Sequence, residues 1–316
     1  MTIQQRVEYL AVRALVACVR FVPASLVEPL GALLGLIFYV FDRPHRRVAE
    51  RNVAAAFPTR SVGERRQIVR GAFTHFGRLL FALLKFSTLT PEALLSRVEF
   101  AGEEWVRLAH AKGKGVLFVT GHFGFWEIQA LAHPLRLGPM AVLARLLDNR
   151  ALNALLEDMR TRTGNSVVYR QGAMRRVIRL LQAGQGVGIL IDQHILSREA
   201  VQVSFFDRPA ATTPAVAALA LRTGAPVVPL FALPLGGLRY RLVYEPPVDP
   251  PPAASPDAVV EFTQRCTDVL EMYVRRHPDL WLWMHRRWRE DDGSAEPDGS
   301  MFPAGERGER GEREGG

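Results

Sequence analysis

The stretch GVLFVTGHFGFWEIQALAH, Gly115 to His133, constrains the fold of this chain more than any other. Gly115 to Thr120 is a short apolar run, rich in β-branched and aromatic residues and bounded by glycines, which is the pattern of a buried strand. Gly121 breaks the run. From Phe123 onward, Trp126, Ile128, Ala130 and Leu131 suit a helix of about three turns that stops near Pro134. His122 therefore falls at a strand-to-helix turn, where an open α/β sheet presents ligand-facing groups beyond the carboxyl ends of its strands. Glu127 follows after four intervening residues, inside the helix. The two can meet as a base and the group that orients it. No serine or cysteine stands beside them, which points to a histidine activating a substrate hydroxyl directly. The spacing alone equally suits a turn histidine next to a helix-N-terminal glutamate with no chemistry.

The same alternation continues downstream. Met140 to Arg145 has the pattern of a strand, Asn149 to Thr163 that of a helix capped by Asp148 or Asn149 and stopped by Gly164. Ser166 to Arg170 is a strand, Ala173 to Ala183 a helix and Val187 to Ile191 a strand. Thr212, Thr213 and Pro214 announce another helix. Two strands, Ala225 to Leu233 and Leu238 to Tyr244, precede a proline-rich connector at Pro246 to Pro256 and a helix from about Asp257 to His277. Strands alternating with helices imply an α/β fold, a mostly parallel central sheet flanked by helices.

Ahead of this unit, Glu64 to Phe86 carries one apolar stripe and is a long helix. Leu26 to Phe41 is apolar apart from Glu28, interrupted by Pro29, Gly31 and Gly35, and leads into Arg43, Arg46, Arg47 and Arg51. A full span wants about twenty apolar residues. The run is therefore expected to be a monotopic anchor or a short span, with its arginines in anionic headgroups on the cytoplasmic side.

Charge supports this. The net charge is +8, but the segment from Glu290 onward holds nine acidic and three basic residues, so the body before it carries +14. With 48% hydrophobic residues and a mean hydropathy of +0.03, such a body suits an anionic membrane or phosphorylated substrates. No aromatic-basic nucleic-acid module is recognisable. Three regions follow: a membrane-associated helical segment at 1–50, an α/β domain at 51–289 and a disordered acidic tail at 290–316. Cys18 and Cys266, far apart and in apolar helical contexts, form neither a disulfide framework nor a zinc site and are expected to be buried thiols. Asp192 and His194 share a face if their strand continues, which raises a metal reading with His122 and His133. His133 lies about 16 Å from His122 along a continuous helix, and no metal is expected.

With these landmarks placed, the chain resembles the bacterial lipid A biosynthesis acyltransferases, the late lauroyl- and myristoyl-type enzymes related to His-x4-Asp/Glu glycerolipid acyltransferases. The resemblance runs from about Leu26 to Arg289. It is carried by RNVAAAFP at Arg51 to Pro58, HFGFWE at His122 to Glu127, RLLDN at Arg145 to Asn149 and Asp192-Gln193. It ends in WMHRRW at Trp283 to Trp288. It implies transfer of a fatty acyl chain from a thioester of acyl carrier protein or coenzyme A to a hydroxyl of a lipid A precursor or related glycolipid. The expected location is the cytoplasmic face of the inner membrane. No cofactor beyond the thioester is implied. His122 would be the general base and Glu127 its partner. Arg145, Asn149, Asp192 and Gly124 would serve substrate binding, with backbone amides near Gly121 or Gly124 as oxyanion donors. Leu146 and Arg150 stand where the family usually has prolines, and His194 where an acidic residue is common. The acceptor is accordingly left open between lipid A and a related glycolipid. A metal-dependent esterase or phosphatase and a non-catalytic membrane-binding protein are the competing readings.

Overall fold

In the computed structural model, which describes residues 2–169, 172–252 and 255–288, the chain opens with four helices. These are α1 (Ile3–Phe21), α2 (Ala24–Phe41), α3 (Arg43–Ala56) and α4 (Val62–Phe86). The starts are encoded locally: Thr2 with Gln5, and Ser61 with Glu64, form capping boxes that satisfy the first amides of α1 and α4. Pro29, Gly31 and Gly35 do not interrupt α2, contrary to their reading as breaks. The glycines mark instead where α4 approaches. A Cβ on Gly31 would lie 2.6 Å from the Arg78 Cα, one on Gly35 2.1 Å from the Phe73 carbonyl oxygen, and one on Gly77 2.1 Å from the Gly31 carbonyl oxygen. α2 thus runs antiparallel along α4 at backbone-to-backbone distance.

The α/β part follows as a short α5 (Pro91–Leu95), β1 (Val98–Ala101), α6 (Glu103–Ala111), β2 (Val116–Thr120) and α7 (Trp126–Leu137). Next come β3 (Met140–Ala144), α8 (Arg150–Thr161), β4 (Ser166–Tyr169), α9 (Ala173–Gln182) and β5 (Gly186–Leu190). A hairpin of β6 (Val201–Phe205) and β7 (Arg208–Thr212) leads to α10 (Ala215–Thr223). Then β8 (Val227–Gly236), β9 (Arg239–Tyr244), α11 (Ala258–Arg276) and a 3-10 turn at Pro278–Leu280 complete the described chain. The central sheet has the order β1-β9-β8-β2-β5-β3-β4. Five strands from β8 to β4 are parallel, while β9 runs antiparallel to β8 and β1 pairs parallel with β9. This is the mostly parallel sheet flanked by helices that the alternation implied.

β2 is buried along its whole length. Leu117 and Val119 enter one apolar cluster with α4 and α11, and Val116 and Phe118 enter another with α6 and α7. Alternate side chains thus feed two cores, which is why the strand is apolar throughout.

Two local expectations are corrected. α7 passes through Pro134 to Leu137. The Ala130 carbonyl, left without a partner by the missing proline N–H, accepts instead from Asn165 Nδ2 at 2.6 Å and Thr163 Oγ1 at 3.3 Å. Cys18 is exposed rather than buried, because its side of α1 is not covered by protein, whereas Cys266 is buried. The β6–β7 hairpin has no sequence signal of the usual kind. Its two turn residues, Phe206 and Asp207, take positive φ of 54° and 58° where asparagine and glycine are the usual occupants. Arg170 and the acidic segment from Glu290 lie outside the described residues.

Candidate active site

The turn after β2 is held from three directions, by β8, by the segment at Leu280 to Leu282 and by α4. Gly124 has φ +56°, and a Cβ there would lie 1.9 Å from the Ala232 carbonyl oxygen, so only glycine fits. Its amide donates to the Leu280 carbonyl at 2.9 Å, and the Phe125 amide donates to the Ala232 carbonyl at 3.0 Å. The Leu282 amide donates to the His122 carbonyl at 3.1 Å. From α4, buried His75 donates through Nε2 to the Gly124 carbonyl at 3.2 Å; a carbonyl only accepts, so this nitrogen carries the proton. Burial holds the His75 imidazole neutral, with a pKa down to about 4.

β2 and β5 are parallel neighbours with Thr120 opposite Leu190. Two residues further on, His122 and Asp192 leave the sheet side by side. The Asp192 carboxylate accepts from the His122 amide at 2.7 Å (Oδ2) and from His122 Nδ1 at 2.8 Å (Oδ1). It accepts a third bond from Trp281 Nε1 at 2.8 Å. Asp192 is only 3% exposed. Burial alone would raise its pKa, but the His122 ring and these donors outweigh burial and hold it at about 2. A carboxylate facing Nδ1 fixes the proton there and leaves the Nε2 lone pair free to accept one. Nε2 faces Gln193 Nε2 at 3.5 Å, and the Trp126 ring meets the imidazole edge-on with centroids 5.2 Å apart.

Glu127 does not meet this imidazole in the expected way. Its partly buried carboxylate is gripped by Arg160 from α8, with Nε 2.9 Å from Oε2 and a second bond to Oε1, and it also accepts from Trp126 Nε1 at 3.1 Å. Burial would raise the Glu127 pKa; the Arg160 guanidinium overcomes this and lowers it. Glu127 therefore reaches the histidine through the Trp126 ring and through its charge, not through a hydrogen bond. The group on His122 Nδ1 is Asp192, expected from sequence as a substrate-binding residue.

The other anticipated residues divide similarly. Arg145 follows β3 at the same sheet edge, its guanidinium 3.8 Å from Asp148. Asn149 caps α8 by accepting from the Ala151 and Leu152 amides, while its Nδ2 donates to the Gln5 carbonyl and to Glu8 of α1 at 2.9 and 3.0 Å. Gly124, anticipated as an oxyanion donor, has its amide committed to Leu280 and serves the turn. His133 is buried against the Tyr244 hydroxyl at 2.9 Å, and the His194 amide donates to His285 Nε2 at 3.0 Å. Among the described residues no group of three His, Cys, Asp or Glu side chains is arranged to hold a metal ion.

Sequence reasoning did not single out Arg160, His75 or the task of Trp281. Arg160 lies 33 residues beyond Glu127 and carries no local signature. Asn52, within the RNVAAAFP element, donates to the Trp283 and His285 carbonyls at 2.8 and 2.7 Å and so holds the segment that carries Trp281. The resemblance flagged both segments without saying that they touch.

Comparison with known proteins adds family information to this geometry. The family model for bacterial lipid A biosynthesis acyltransferases matches residues 2–290. The chain is 27% identical over 270 residues to the lipid A biosynthesis lauroyltransferase of Escherichia coli, covering 84% of this chain and 86% of that protein. It is 25% identical over 273 residues to the lipid A biosynthesis myristoyltransferase of the same organism, covering 86% and 83%. A phosphatidylinositol mannoside acyltransferase of Mycobacterium tuberculosis is 24% identical over 221 residues, 68% of each chain.

Proposed function

The chain belongs to the bacterial lipid A biosynthesis acyltransferase family and is an O-acyltransferase, and from that premise we propose how its residues carry out the transfer and on what. The reading is that a fatty acyl chain moves from a thioester of acyl carrier protein or coenzyme A to a hydroxyl of a lipid A precursor or related glycolipid. The observation that carries it is the His122–Asp192 pair at the carboxyl edge of β2 and β5. His122 Nε2 takes the proton of the acceptor hydroxyl as its oxygen attacks the thioester carbonyl. The tetrahedral oxyanion collapses, the C–S bond breaks, and the thiolate recovers the proton from the imidazolium. Asp192 keeps the reactive tautomer and balances the imidazolium charge. General-base help of this kind is worth about 10²–10⁴ in rate.

The thioester supplies the activated acyl group, so the reaction calls for no further cofactor. Arg145, on the same sheet edge, is suited to a phosphate of the acceptor or of the donor's phosphopantetheine arm. Glu127 acts by fixing Arg160 and Trp126 around the histidine. The likeness to both lipid A and phosphatidylinositol mannoside acyltransferases favours a glycolipid acceptor. In this reading the chain works at the cytoplasmic face of the inner membrane; association with a membrane is supported by α2, which is long and apolar enough to cross a bilayer.

The test is transfer of a labelled acyl chain from carrier-protein and coenzyme A thioesters to lipid extracts, with products identified by mass spectrometry. His122→Ala, at equal abundance in membranes, should lower the rate of labelled product formation by about 10²–10⁴. Full activity in that variant would overturn the mechanism. Labelled product on a non-glycosylated lipid alone would overturn the acceptor.

A further inference from the structure

α2 passes the length and composition test for a membrane span, yet its setting in the fold is not that of one. It is held along its length, to the α/β body near its start and to α4 and α3 beyond. Near its start, Glu28 accepts the Gly237 and Leu238 amides of the β8–β9 turn at 2.9 and 3.2 Å. In the middle, Gly31 and Gly35 lie against the backbone of α4 at Gly77, Arg78 and Phe73. At its end, Arg46 donates to the Tyr39 and Val40 carbonyls at 2.7 and 3.2 Å. α2 cannot stand across a bilayer in this arrangement unless α4 stands with it, and the other side of α4 is core.

Besides the arginines that follow α2 from Arg43 onward, charges run along the helices. Arg66, Arg70 and Arg78 are exposed on α4 beside α2. Arg66 and Arg70 share a groove of about 470 Å³ with Leu36, Tyr39 and Val40, arginine on one wall and apolar on the other. That is the chemistry of an anionic headgroup whose acyl chains continue over α2. Leu26, Leu30, Leu33, Ile37 and Phe41 form an exposed stripe at helical spacing, turned away from the glycines. α1 repeats the pattern: Ile3, Val7, Leu10 and Phe21 make an exposed stripe, bordered by exposed Arg6, Arg13 and Arg20 at seven-residue intervals. In a helix standing upright, such rows of arginine would pass through the hydrocarbon; in a helix lying flat, they stay at one depth, in the headgroups.

We propose that α1 and α2 lie in the plane of a single anionic lipid leaflet, so that the chain docks on the membrane without crossing it. The proposal rests on the membrane reading above and adds its geometry. α1 also holds the catalytic edge at the leaflet, since Gln5 Nε2 donates to the Asp148 carbonyl and Asn149 donates to the Gln5 carbonyl and Glu8.

The test uses the full chain carrying Cys18→Ser, with single fluorophores attached at Leu26→Cys, Leu33→Cys or Phe41→Cys. Each is bound to phosphatidylethanolamine–phosphatidylglycerol vesicles and quenched by lipids spin-labelled at defined acyl carbons. The three positions should quench at one shallow depth. A span would place Leu33 deepest, about 10 Å below each end at 1.5 Å per residue, and that result would overturn the proposal while leaving membrane association intact. Failure to co-sediment with the vesicles would overturn the membrane reading itself, and the proposal with it.

Discussion

Asp192 accepts both the backbone amide and the ring Nδ1 of His122, at 2.7 and 2.8 Å. One carboxylate therefore fixes the imidazole at two points, position and tautomer together. Asp192→Asn keeps the shape but offers an N–H where the ring needs an acceptor. Turnover should fall by about 10²–10⁴, with donor KM little changed, and combining it with His122→Ala should add little. Steady-state transfer assays on the two single variants and the double variant check this. Multiplying losses would mean independent roles.

Glu127 and Arg160 form a largely but not fully buried pair, and removing one partner leaves the other charge unpaired. Arg160→Met should cost about 3–5 kcal/mol of stability. Adding Glu127→Leu should recover much of that loss. Denaturant unfolding of the variants in detergent reads the difference. A double variant as unstable as the sum of its parts would refute the pairing.

His75 joins α4 to the catalytic turn through the Gly124 carbonyl. His75→Leu removes the donor and should cost about 1–3 kcal/mol, with kcat reduced more than KM; His75→Gln, which keeps an N–H, should restore most of both. The pH dependence follows from its depressed pKa. The folded protein holds this ring neutral down to about pH 4, while the unfolded chain protonates it near 6.5. Stability is therefore full above that upper value and lost as pH falls through the interval, by about 3 kcal/mol for this group. His75→Gln should flatten the acid side of the stability profile.

Arg145 follows β3 at the carboxyl edge of the sheet, 3.8 Å from Asp148. Arg145→Met should raise KM for a phosphorylated acceptor or donor about 10–100-fold, with kcat nearly unchanged. Kinetics with phosphorylated and dephosphorylated acceptor, at fixed donor, separate the two substrates. An equal loss in kcat would place this residue in the chemistry.

The sequence by itself determined whatever depends on near neighbours. The apolar run Val116 to Thr120 and the glycine after it placed His122 at a strand-to-helix turn. The alternation that followed specified the parallel sheet, and the run before Arg43 specified an apolar face. Hydrophobic periodicity and backbone propensity act over a few residues, so they can be read there. Only the tertiary structure decided which side chains meet. Glu127 was the nearest carboxylate in sequence, but the helical turn sends it to Arg160, while strand order brings Asp192 across from 70 residues away. The glycines of α2 looked like interruptions because their reason, the backbone of α4, lies elsewhere in the chain. Such contacts follow from the order and register of packed elements, which no local pattern encodes.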